Sequence, residues 1–173
     1  MPGAEIAEAG DMRIREASAA DWPSIWPFMR RIVAQGETYA YDPELDEDKA
    51  RQRWFPAAPG YTVVAVDDDG TVLGTAISGP NREGPGSHVA TASFMVDPEA
   101  GGQGVGRALG EYVLGRARSE GYRAMQFNAV VETNTAAVAL WESLGMEIIG
   151  TIPEAFHHPV KGYVGLHVMY RFL

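Results

Sequence analysis

Asp97-Pro98-Glu99-Ala100-Gly101-Gly102-Gln103-Gly104-Val105-Gly106-Arg107-Ala108-Leu109 is the stretch whose reading decides the fold. An apolar run, Val89 to Val96, leads into it. The turn then opens into an amphipathic helix with Val105, Leu109, Tyr112, Val113 and Ala117 on one face. Gly101, Gly102, Gly104 and Gly106 leave the backbone amides of this turn bare of side chains. The first turn of a helix carries N–H donors with no internal partner, and the aligned peptide dipoles leave that end partly positive. Such a turn holds phosphate.

Working outward, Ala124 to Ala129 reads as the next strand, parallel to Val89–Val96, with the helix as its crossover. Upstream, Tyr61 to Val66 and Thr71 to Ile77 form a hairpin around Asp67-Asp68-Asp69-Gly70. Met12 to Arg15 alternates as a first strand. Ser18 with Asp21 starts a helix carrying Ile25, Phe28, Met29, Ile32 and Val33, which Pro23 and Pro27 delay or kink. Asp46 to Trp54 is a second, short helix, and Gly79 to Ser87 a Gly/Pro loop of low order. Downstream, Asn134 to Leu144 is a helix stopped by Gly145. Glu147 to Ile152 and Gly165 to Phe172 are closing strands separated by Pro153 to Gly162. Residues 1–10 read as a flexible tail and 11–173 as a single domain. The class is α/β of the α+β kind, because the antiparallel meander argues against a doubly wound parallel sheet.

Fourteen basic against twenty-three acidic residues give a net charge of −9, which argues against nucleic acid and anionic membrane as partners. The chain has no cysteine, hence no disulfide, thiolate metal site or cysteine nucleophile. No metal site is expected. No secretory signal or membrane span is legible, so a cytoplasmic location is the default expectation.

Three glycine signatures compete for the turn. A mononucleotide loop needs Lys followed by Ser or Thr after its last glycine, whereas Gly106 is followed by Arg107-Ala108. A dinucleotide fingerprint needs G-x-G-x-x-G and an acid about twenty residues on. Here the spacing is G-x-G-x-G, and the next strand ends near Asn128. The third is an acyl-CoA pyrophosphate loop. Val96-Asp97-Pro98, Gly102-Gln103-Gly104-Val105-Gly106-Arg107 and Asn134-Thr135-Ala136-Ala137-Val138-Ala139-Leu140-Trp141-Glu142-Ser143-Leu144-Gly145-Met146 together resemble the GNAT superfamily of acyl-CoA-dependent N-acetyltransferases. The order of elements matches too, across roughly Met12 to Leu173.

The resemblance implies a mostly antiparallel seven-stranded sheet flanked by four helices, with two central parallel strands splayed apart. It implies acetyl-CoA as cosubstrate, its arm pairing with backbone near Phe94, Met95 and Val96. The amides of Gly102, Gln103, Gly104, Val105, Gly106 and Arg107 would grip the diphosphate, and Asn134 would also contact the cosubstrate. Three positions depart from the family pattern. Gly101 stands where Arg or Gln is usual. Trp141 stands where a thiolate-protonating Tyr is frequent, and Ala92 about where many members carry a glutamate base. The segment Phe127 to Asn134 with Trp141 to Gly145 resembles the subgroup acetylating small amino acids and their analogues. The closing segment is more loosely similar to phosphinothricin-type acetyltransferases. In both, the loop between the first two helices helps form the acceptor site, which makes Tyr39 and Tyr41 acceptor-binding candidates. Dimers are common in the family, so a homodimer is an expectation.

Alternation in Met125 to Val130 puts Gln126 and Asn128 on one face of a central strand. A buried amide without partners costs about 1–3 kcal/mol, so Asn128 either pairs structurally or lines a cleft. Asn128 and Asn134 are candidates for orienting an amine or stabilising a leaving thiolate. Glu132 is the nearest carboxylate, though it also reads as a solvated loop acid. His88, His157 and His158 are the imidazoles available as a base near neutral pH, and each also fits a surface or capping role. His157 is in addition an acceptor-site candidate. The expected activity is acetyl transfer to a small amine by direct attack in a ternary complex. The alternatives are a non-catalytic acyl-CoA-binding module and a transferase acting on protein N-termini or lysines.

Overall fold

A computed structural model describes residues 7–9 and 11–173 of the chain. One sheet of eight strands runs through the molecule: β1 (Ala7–Ala9), β2 (Met12–Glu16), β3 (Tyr61–Asp67), β4 (Val72–Pro80), β5 (Val89–Val96), β6 (Ala124–Val131), β7 (Glu147–His158) and β8 (Gly162–Phe172). Their order in space is β1-β2-β3-β4-β5-β6-β8-β7. The seven strands read from the sequence are all present, and Ala7–Ala9 adds a three-residue eighth at the edge, inside the stretch read as tail. Every neighbouring pair is antiparallel except β5–β6. The four helices are α1 (Trp22–Gln35), α2 (Glu47–Trp54), α3 (Val105–Ser119) and α4 (Thr135–Ser143). No helix among the described residues is long and apolar enough to cross a membrane.

Local chemistry places the helix ends. Asp21 accepts the Ser18 N–H at 2.7 Å and is gripped by both terminal nitrogens of Arg15. That guanidinium holds the Asp21 carboxyl below its usual range. Asp46 caps α2 by accepting the Lys49 N–H at 2.9 Å, and Asn134 caps α4 by accepting the Ala137 N–H at 3.3 Å. Gly145 ends α4 at φ 83°.

Two cores sandwich the sheet. Val64, Val66, Val72 and Met95 face α1 and α2, where Trp54 is fully buried and donates to Thr75 at 2.9 Å. Ala76, Ala90, Met125, Phe127 and Met169 face α3 and α4. The parity along β6 follows: Met125 and Phe127 are buried under the helices, while Gln126 and Asn128 look out from the other face.

Several strand ends run past the sequence reading: β4 continues to Pro80, into the stretch read as loop, β6 to Val131, and β8 begins at Gly162. β7 runs on through Pro153 to His158, broken by a register shift between Ile152 and Phe156 with Glu154 at φ 53°. A β-bulge absorbs the proline that otherwise reads as a loop. His158 therefore lies at a strand end, where its Nδ1 accepts the N–H groups of Val160 and Lys161 in the hairpin turn.

Candidate active site

β5 and β6 pair only at Val89↔Ala124 and Ala90↔Met125. Beyond those two pairs the strands part. The ladder between β4 and β5 fixes which backbone groups face the gap. Asn81 N–H donates to Val89 at one end, and Asp97 N–H donates to Leu73 at the other. Odd positions of β5 thus bond β4, and even positions turn toward β6. Of the three residues expected to pair with a cosubstrate arm, Phe94 and Val96 present their backbone to the gap. Met95 does not: its backbone belongs to the β4 ladder and its side chain to the core under α1.

An aromatic wedge occupies the α3/α4 side of the gap. Phe94 of β5 and Phe127 of β6 lie 5.7 Å apart, and Trp141 of α4 sits 4.6 Å from the first and 5.1 Å from the second. Trp141 is 7% exposed, and Gly110 lets α3 approach it closely. A Cβ at Gly110 would stand 3.0 Å from the Trp141 ring and 2.7 Å from Leu144.

The glycine turn lies at the C-terminal end of β5. Gly102 and Gly104 have φ of 76° and 77°, a region open to glycine and strained for other residues. Gly104 caps α3, its carbonyl accepting the Ala108 N–H at 3.0 Å. Among the described residues, no amide from Gly102 to Arg107 donates to another backbone group. The Gly106 position adjoins Leu140 of α4, so a Cβ there would meet that side chain at 3.2 Å. Val105 is buried beside Gly74, which leaves only its amide for a ligand. The Arg107 guanidinium donates to Ser143 at 2.7 Å. Unpartnered amides and positive-φ glycines facing solvent fit a diphosphate.

A cavity of about 210 Å³ lies in the gap itself, lined by Tyr39, Tyr41, Thr91, Ser93, Phe94, Asn128, Asn134 and Trp141 among others. A second, of about 220 Å³, shares Thr38, Tyr39, Phe94 and Asn134 with it and reaches Val96. Tyr39 lines both. Its hydroxyl donates to the Phe94 carbonyl at 2.6 Å, and its ring lies 5.2 Å from Tyr41. Burial, with Tyr41 alongside, pushes the Tyr39 pKa above phenol's ordinary value and keeps it a neutral donor. A wider hollow of about 650 Å³, lined by Asn81, Arg82, Thr91 and Ser93, adjoins this space.

The structure thus brings together Tyr39, Tyr41, Phe94, Val96, Asn128, Asn134 and the glycine turn. It separates three other candidates. His88 precedes β5 at the end where the strands are still paired, and lines a different hollow with Tyr61, Arg116 and Tyr122. His157 is exposed on the β7–β8 hairpin, stacked on Tyr163 at 4.5 Å. Glu132 is committed to β8: its Oε1 accepts the Gly165 N–H at 2.5 Å, and its own N–H donates to the Gly165 carbonyl. Asn81 is a site residue that sequence reasoning does not find, since Pro80-Asn81-Arg82 in a Gly/Pro stretch carries no signal of a site.

Comparison with known proteins bears on the same elements. The acetyltransferase (GNAT) family model matches residues 25–146. The chain is 37% identical over 147 residues to the L-methionine sulfoximine/L-methionine sulfone acetyltransferase of Pseudomonas aeruginosa, covering 82% of this chain and 83% of that protein. It is 31% identical over 146 residues to the L-amino acid N-acyltransferase MnaT of Escherichia coli, covering 83% and 84%. Among solved structures, a GCN5-related N-acetyltransferase from Kribbella flavida is 62% identical, with a TM-score of 0.92 over 94% of this chain and 98% of that one. A phosphinothricin acetyltransferase from Sinorhizobium meliloti, solved in complex with AcCoA, is 26% identical with a TM-score of 0.85, over 94% of this chain and 89% of the other.

Proposed function

The chain belongs to the GNAT acetyltransferase family, and from that premise we propose that this N-acetyltransferase acetylates a small amine, an amino acid or an amino-acid analogue, by direct attack on acetyl-CoA in a ternary complex. One observation carries the reading: a turn of free amides stands at the end of β5, beside the place where β5 and β6 part. The amides of Gly102 to Arg107 hold the diphosphate. The backbone of Phe94 and Val96 guides the arm and offers N–H donors to the thioester oxygen as negative charge grows there. The 210 Å³ cavity suits a small acceptor, as do the relatives that act on L-methionine sulfone and on L-amino acids. Holding both reactants in one geometry supplies roughly 7–11 kcal/mol of the barrier reduction.

The test is release of free thiol from acetyl-CoA with a panel of amino acids, amino-acid analogues, polyamines and peptides. Acceptor-dependent release with L-methionine sulfone or another small amine supports the reading. Acetyl-CoA binding without release would reduce the chain to a binding module, and turnover of peptides alone would move the acceptor to proteins. Tyr39→Phe keeps the ring and removes the hydroxyl. Because that hydroxyl holds the Phe94 carbonyl beside the arm, steady-state kinetics should show the KM for acetyl-CoA rising several-fold, roughly what one hydrogen bond contributes.

The described residues that line the small cavity include no carboxylate, imidazole or cationic side chain. With Arg82 and Glu83 lining only the hollow beside it, the acceptor reacts as the free amine, its proton passing to solvent. In a pH profile, kcat/KM for the acceptor is expected to rise about tenfold per pH unit until the acceptor's own ammonium pKa. A plateau starting well below that pKa would reveal a base in the protein.

A further inference from the structure

Asn128 sits in a bulge. β6 pairs Phe127 with Met169 and Val130 with His167, so Asn128 and Ala129 together stand opposite Val168. Bulges re-aim side chains, often beside active sites. Here Asn128 Nδ2 donates to Asn81 Oδ1 at 2.7 Å, and Asn81 Nδ2 donates back to Asn128 Oδ1 at 3.3 Å. Gln126 Nε2 donates to the same Asn128 oxygen at 2.9 Å. An amide oxygen has two lone pairs and an amide nitrogen two hydrogens. Both lone pairs of Asn128 are taken and one hydrogen is spent. What it offers the cavity it lines is a single N–H.

We infer that Asn81 is a positioning residue that, with Gln126, fixes Asn128 as a hydrogen-bond donor to the coenzyme A sulfur as the thioester breaks. The inference rests on the acetyl transfer proposed above. In that step the amine nitrogen bonds to the acetyl carbon and the C–S bond breaks. Its electron pair goes to sulfur, and the proton leaving nitrogen reaches that sulfur through solvent. The sulfur is anionic in a cavity whose described walls carry no cation, so neutral donors stabilise it. Other donors line the same space: the Tyr39 hydroxyl, held by the Phe94 carbonyl, the Asn134 amide, whose oxygen caps α4, the Thr91 and Ser93 hydroxyls and the Trp141 indole. Asn128 is set apart from them by a side-chain network that takes up its oxygen and leaves it one N–H. Orienting the amine through its own hydrogens would need a free lone pair, which Asn128 lacks.

Two measurements test this. The first needs no acceptor: the thiol of coenzyme A bound to wild type, Asn81→Ala and Asn128→Ala is titrated by the ultraviolet absorbance of the thiolate. The bound thiol is expected to ionise at lower pH in wild type than in either variant. Equal titration in all three proteins would overturn the inference. The second is kinetic, with acetyl-CoA and L-methionine sulfone. Asn128→Ala should lower kcat about 100-fold and Asn81→Ala about tenfold, both with acceptor KM nearly unchanged. The double variant should match Asn128→Ala, because Asn81 acts only through it. Losses that multiply, or a change confined to acceptor KM, would refute the assignment. If wild type turned over no small amine, the proposed function would fail while the thiol titration still decided this point. Asn128 is exposed and Asn81 half-buried, so both variants are expected to keep the fold.

Discussion

Gly104→Val is expected to weaken acetyl-CoA binding by about 100-fold or more, equivalent to about 2.7 kcal/mol, while the protein stays folded. Gly104 holds φ at 77°, which a β-branched residue resists. Forcing valine there costs on the order of 1–3 kcal/mol unless the turn rearranges, and rearrangement moves the amides that meet the diphosphate. The new side chain would also stand beside those amides. Gly70 is the matching control. It has φ 84° in the β3–β4 turn, a Cβ there would meet nothing within 4 Å, and it lines neither of the cavities at the gap. Gly70→Val carries the same backbone strain and should leave affinity intact. Titration calorimetry of both variants separates general strain from loss of the anion site. Wild-type affinity in Gly104→Val would remove the glycine turn from the binding account.

Trp141→Ala should lose about 3–5 kcal/mol of stability, the range for truncating a buried aromatic, and lower Tm by roughly 10 °C. The side chain is held by Phe94 and Phe127 on the two parting strands and by the close approach of Gly110. Its removal leaves a void between α4 and the sheet that neither strand can fill without narrowing the gap. Turnover at a temperature where the variant remains folded should therefore fall too. Trp141→Phe, which keeps a ring, should recover part of both. Denaturant unfolding and steady-state kinetics on the same samples check it. A destabilised variant with wild-type kcat would show that the wedge supports the fold without setting the gap.

What the sequence discloses is what short-range chemistry decides. Gly102 and Gly104 are legible because their positive φ excludes other residues, and Asn134 because a cap is written in the residues beside it. The distant pairings are hidden. Tyr39 meets the Phe94 carbonyl across 55 positions, and Asn81 meets Asn128 across 47. Neither contact has a local signature, since both depend on where strands of different origin end. The exclusion of Met95 from the gap follows from hydrogen-bond parity with β4, which alternation of side chains does not report. His88 fails as a candidate for a related reason. Being next to the right strand in sequence says nothing about which end of it the chemistry occupies.

The two-pair join between β5 and β6 has a mechanical consequence. Five strands lie on one side of it and three on the other, and among the described strands this seam is the only ladder that stitches the two groups together. Above it the lips are held at a distance by side chains, so their amides exchange with solvent through small local openings. A pantetheine arm lying in the slot gives those lips new partners. Deuterium uptake at Phe94 and Val96 then becomes a gauge of loading, while Ala65, deep in β3, keeps the same slow clock whether the slot is filled or empty.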